Sequence, residues 1–154
     1  RVSRGLGDVY KRQTYTGATI GQLDFTEKKA AYRFGRQLGM AFQMIDDLLD
    51  YTQTTATLNK PVLEDLHNGI VTLPLIYAYQ NVPEQLAPLV GTAAKIAANS
   101  DRIAAIVSEH GLPQARQLAT RYTDKAINAL APLPDARIKQ ELRKLTQQLL
   151  RRDH

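Results

Sequence analysis

The sequence has no cysteine among its 154 residues. That excludes a disulfide framework and any thiolate metal centre, so a bound metal would have to use oxygen or histidine ligands. A reducing, cytoplasmic setting is the expectation that fits this composition. Aromatic residues reach only 6% and β-branched runs are short, which disfavours a strand-rich fold. No apolar run approaches the roughly 20 residues needed to cross a bilayer, and a secretory-type apolar segment is missing near the N-terminus.

What is present is helical in character. Ala, Leu, Gln, Lys and Arg dominate the periodic stretches, and these are residues that lose little side-chain freedom in a helix. With 44% apolar and 23% charged residues, the chain has the composition of one ordinary folded domain. The expected fold class is all-α, an antiparallel bundle with short proline-marked connections. The formal charge is +5, but Arg1, Arg4, Lys11 and Arg12 against Asp8 place most of the excess in the first 13 residues. No aromatic-basic reading motif accompanies it, so nucleic acid is not an expected partner.

Residues 1–13, RVSRGLGDVYKRQ, show no clear period and are expected to form an irregular leader, with a foreign remnant one reading of it, ahead of one domain over residues 14–154. Asp24 with Glu27 three residues on reads as a capping box. The apolar series Ala31, Phe34, Leu38, Phe42, Ile45, Leu49 then repeats at helical spacing and predicts a long helix ending near Tyr51. Thr, Asn59, Lys60 and Pro61 mark a loop. Further helices are expected from a Thr72 cap with Pro74 in the first turn, from Pro83 to Asn99, from a Ser100 cap to His110, from Pro113 to before Pro132, and from Asp135 to about Arg151.

Within FQMIDDLLD, helical geometry puts Asp46 and Asp50 on one face with Asp47 beside it, so three carboxylates are expected to converge. Like charges at this spacing destabilise a helix, and the helix C-terminus disfavours negative charge, so a cation is needed to compensate. Met44, Ile45, Leu48 and Leu49 make the other directions apolar, as for a helix lining a cavity. Carboxylate oxygens select hard cations, and Mg2+ is typically shared with substrate phosphates. His67, His110 and His154 lack partners at metal-ligand spacing.

The stretches GRQLGMAFQMIDDLLDY and NKPVLEDLHNGIVTLPLIYA, in that order, resemble the second aspartate-rich region of trans-isoprenyl diphosphate synthases, especially the polyprenyl type. The segment AINALAPLPDARIKQELRKL resembles that family's later helices. The resemblance implies an isoprenoid-synthase helical bundle and a Mg2+-dependent prenyltransferase that condenses isopentenyl diphosphate with an allylic diphosphate. It implies Asp46, Asp47 and Asp50 as metal ligands, Asp46, Asp47 and Gln43 as catalytic, and Lys60 as a contact for the substrate diphosphate. Asp65 matches a family acid whose role lies between helix capping and substrate contact. A homodimer, or a heterodimer with a small regulatory subunit, is the implied assembly.

The family's first aspartate-rich helix has no counterpart here, and YKRQ stands where the family has a Lys-Thr pair before TYTGATIG. The chain is therefore expected to be incomplete and inactive alone. The alternatives are a terpene cyclase of the same fold and a non-catalytic subunit. The order Phe42, Gln43, Asp46, Asp47 followed by Lys60 favours chain elongation.

Overall fold

The capping box is formed as its sequence predicts: Asp24 N–H donates to Glu27 Oε2 and Glu27 N–H donates to Asp24 Oδ1, both at 2.8 Å. It opens helix α2 (Phe25–Thr52), which is preceded by α1 (Gly5–Ile20). The computed structural model describes residues 5–52 and 63–150, and every regular element among them is a helix. After α2 come α3 (Glu64–His67), α4 (Leu73–Asn81), α5 (Pro83–Leu86), α6 (Ala93–Ala98), α7 (Ser100–His110), α8 (Leu112–Ala129) and α9 (Ala136–Leu150). The all-α expectation holds.

These residues group into two compact units, one made from residues up to Ile45 together with those from Ala119 onward, the other from Asp46–Leu118. The divisions fall inside α2 and α8, where no linker composition signals a boundary.

In the first unit, Ala30, Phe34 and Leu38 of α2 form a buried cluster with Ala126, Leu130 and Leu133, and Leu142 of α9 packs against it. Residues 5–13 correct the expectation of an irregular leader, because they form the first half of α1. The cause is tertiary. Gly35 and Gly39 sit one turn apart on α2, and a Cβ at Gly39 would lie 2.6 Å from Gly7 Cα. A Cβ at Gly35 would collide with the Tyr10 carbonyl. Two bare positions at i and i+4 thus let α1 lie directly on α2, and the Thr14 hydroxyl donates to the Ala31 carbonyl at 2.7 Å across that contact. Packing of this kind outweighs a weak local propensity.

In the second unit, α4 packs against α7. Gly111, at the end of α7, has φ −117°, so it is not there to supply a left-handed cap. It is there because the Pro74 carbonyl fills the space a side chain would need. The single helix expected from Pro83 to Asn99 is instead two, α5 and α6. Pro88 has no N–H to continue the first, and the Thr92 hydroxyl restarts the second by accepting the Lys95 N–H at 3.3 Å. Ser100 is not the cap of α7. Asn99 holds that position, and the Ser100 hydroxyl donates back to the Ile96 carbonyl at 2.9 Å.

Candidate active site at the acidic end of α2

The last turns of α2 are amphipathic as expected. Met44, Ile45 and Leu48 are buried, Asp46 is exposed, and Asp47 and Asp50 are half-buried at the edge between the two faces. Each residue at this edge takes a partner from the chain that follows. Asp47 Oδ2 accepts the Leu73 N–H in a long contact of 3.5 Å. Asp50 accepts twice, the Glu64 N–H on Oδ1 at 3.0 Å and the Leu63 N–H on its own carbonyl at 3.4 Å. Tyr51 places its phenol oxygen 3.1 Å from the Thr72 hydroxyl, which donates to it.

Leu63 meets these bonds with φ 67° and ψ 36°, in the left-handed region that costs a non-glycine residue about 1 kcal/mol or more. It is held there by complete burial of its side chain and by its carbonyl, which accepts the His67 N–H at 2.9 Å as the first bond of α3. Nothing in the residue type signals this conformation.

The local field is negative. Burial raises the Asp50 pKa to about 6, the charge of Asp65 adds to the rise, and the N–H groups of Glu64 and Asp65 oppose it. Asp50 Oδ2 is buried and has no hydrogen-bond partner among the described residues. The Asp65 carboxyl is also raised, first by burial and then by the negative charges of Asp46 and Glu64. Burial pushes the Tyr51 phenol up as well.

The expected convergence of Asp46, Asp47 and Asp50 is corrected. Among the described residues, no group of three His, Cys, Asp or Glu side chains is placed to hold a metal ion. The physical reason is that Asp50 is turned toward the start of α3, whose backbone N–H groups it accepts. The charge of Asp65 is felt by Asp50, and that of Asp46 by Asp65. The spacing of the acids could not reveal this, because α3 follows only after eleven intervening residues that carry no helical period. Gln43 lies one turn before Asp47 on α2, half-buried and already engaged by a neighbour. Lys60 lies outside the described residues. His67 approaches the Ser100 hydroxyl at 3.3 Å, a contact between side chains rather than part of a ligand set.

No described helix is long and apolar enough to cross a membrane. The arrangement defines an all-helical protein whose conspicuous chemistry among the described residues is a set of carboxylates at one helix end. Residues 8–110 match the family described as polyprenyl synthetase, and the chain belongs to that family. It is 39% identical over 137 residues to the probable mitochondrial hexaprenyl pyrophosphate synthase of Neurospora crassa, which covers 88% of this chain and 30% of that protein. The geranylgeranyl pyrophosphate synthase of Lactobacillus brevis, solved with citrate, superposes with a TM-score of 0.84 at 31% identity, over 98% of this chain and 49% of that one. A polyprenyl synthase from Caulobacter crescentus, solved with calcium and isoprenyl diphosphate, superposes at 0.79 and 29% identity, over 96% and 47%. The chain thus spans about a third of that curated relative and about half of the solved ones.

Proposed function

We propose that this chain carries the second aspartate-rich half of a trans-polyprenyl diphosphate synthase, which condenses isopentenyl diphosphate with an allylic diphosphate. The observation that carries the reading is the acidic end of α2, with Asp46 exposed and Asp47 at the apolar edge, inside the segment that matches the family.

The donor set fits a hard divalent cation. The acids named are carboxylate oxygen donors, whose mutual repulsion positive charge relieves. Asp46 and Asp47 would hold Mg2+ ions, and such an ion, when bound, stabilises negative charge on a departing diphosphate. That the Caulobacter crescentus relative was solved with calcium and isoprenyl diphosphate supports a divalent cation and a diphosphate as the ligands. Asp46 and Asp47 fix where the diphosphate sits, the Leu73 N–H holds the Asp47 carboxylate in place, and the apolar face of Met44, Ile45 and Leu48 keeps water from the helix behind them. Lys60 would add a point charge to the diphosphate, and Gln43 would face the reacting prenyl carbon.

The test is calorimetric titration of the chain with farnesyl diphosphate in Mg2+ and in EDTA. Binding should require the metal and should weaken by about 100-fold or more when Asp46→Asn and Asp47→Asn are combined, since both ions' ligands are then neutral. Equal binding in EDTA, or by the double variant, would remove the metal site from the proposal.

A further inference from the structure

Asp50 is the acid of the cluster whose geometry is least like that of a ligand. Its side chain and its backbone both receive the returning chain, through the Glu64 N–H at 3.0 Å and the Leu63 N–H at 3.4 Å. Leu63, which stands at the cap position of α3, contributes no side-chain cap of its own, and a leucine has no oxygen with which to do so. The acceptor that α3 needs is therefore supplied from another helix, fourteen residues earlier in sequence.

We infer that Asp50 is a positioning residue: its carboxylate caps α3 from a distance and so fixes the start of the helix that carries Asp65, and it does not itself ligate a cation. The inference deepens the proposed function and rests on it for the role of Asp46. Three observations agree. The backbone of Leu63 adopts a left-handed conformation, φ 67°, while both its polar groups are bonded, as expected of a junction held from outside. Asp65, the second residue of α3, lies close enough to Asp46 for the two charges to interact. Asp50 Oδ2 is buried with no hydrogen-bond partner among the described residues, whereas Asp46 is exposed.

A cap and a ligand respond differently to the loss of charge. An asparagine keeps an oxygen acceptor for the Glu64 N–H, but a neutral amide is a poor replacement for a carboxylate on Mg2+. Asp50→Asn, Asp50→Ala and, as a reference, Asp46→Asn are compared in two measurements on the chain. One is the Mg2+ concentration for half-maximal farnesyl diphosphate binding. The other is backbone amide hydrogen exchange at Glu64 and Asp65. Asp50→Asn should leave the Mg2+ midpoint within about threefold of the parent and leave the two amides protected, while Asp50→Ala accelerates their exchange by about tenfold, as loss of a cap would. Asp46→Asn should move the midpoint and not the amides. An Asp50→Asn variant that shifts the midpoint as far as Asp46→Asn, or an Asp50→Ala variant that leaves Glu64 protected, overturns the inference. If the parent chain binds no diphosphate, the proposed function fails by itself, and the exchange measurement still decides whether Asp50 caps α3. If Asp50→Ala fails to fold, Asp50→Glu against Asp50→Asn in the same two measurements keeps the question decidable.

Discussion

Tyr51 and Thr72, 21 residues apart in sequence, share a buried hydrogen bond in which the threonine hydroxyl donates to the phenol oxygen at 3.1 Å. Thr72 is the residue immediately before α4, so the bond ties the end of α2 to the start of α4. Thr72 is the N-cap of α4 with Pro74 in the first turn, as expected, but its hydroxyl makes no cap bond and is directed at Tyr51 instead.

Tyr51→Phe should cost about 1 to 2 kcal/mol of unfolding free energy, since it leaves the buried Thr72 hydroxyl unsatisfied. Thr72→Val should cost a similar amount. A double-mutant cycle by chemical denaturation should return a coupling of about 1 kcal/mol, and additive single effects would mean the bond contributes nothing.

Gly111→Ala should destabilise by about 2 kcal/mol or more, because its Cβ would meet the Pro74 carbonyl, a backbone atom with no rotamer to yield. Gly17→Ala, on an exposed face of α1 with nothing within 4 Å of the new methyl, should stabilise by about 0.5 to 1 kcal/mol through helix propensity. Thermal denaturation of the two variants side by side gives opposite signs if both arguments hold.

Asp24→Ala should cost about 1 kcal/mol by removing one half of the reciprocal bonding with Glu27. Asp24→Asn, which keeps the acceptor, should recover most of it in the same denaturant titration.

Because the Asp50 pKa is raised in the folded chain, to about 6 from 3.8, its protonated form is the one folding favours. Its contribution is therefore fully present below about pH 4 and is lost as pH rises through about 6. Unfolding free energy measured at pH 5 and pH 7 should fall between them in the parent and fall less in Asp50→Asn, which has no charge to bury. Mg2+ should not be added in this experiment, since it changes the charge the carboxylates see. An identical slope in parent and variant would show that Asp50 does not titrate in this range.

Periodicity alone determined that this chain is helical, that α2 begins at the Asp24 and Glu27 box, and that Asp46 and Asp47 stand at the edge of an apolar helix face, because each of these depends on residues within a few turns of one another. Composition alone determined that any metal must be held by oxygen or nitrogen. Only the tertiary structure decided that residues 5–13 are helical, since bare positions at Gly35 and Gly39 matter only once α1 lies across them. It likewise decided that Asp50 faces α3. Helical spacing specifies which side chains share a face, but a carboxylate at the end of a helix turns toward whichever backbone N–H groups arrive there, and those came from residues beyond the reach of any local pattern.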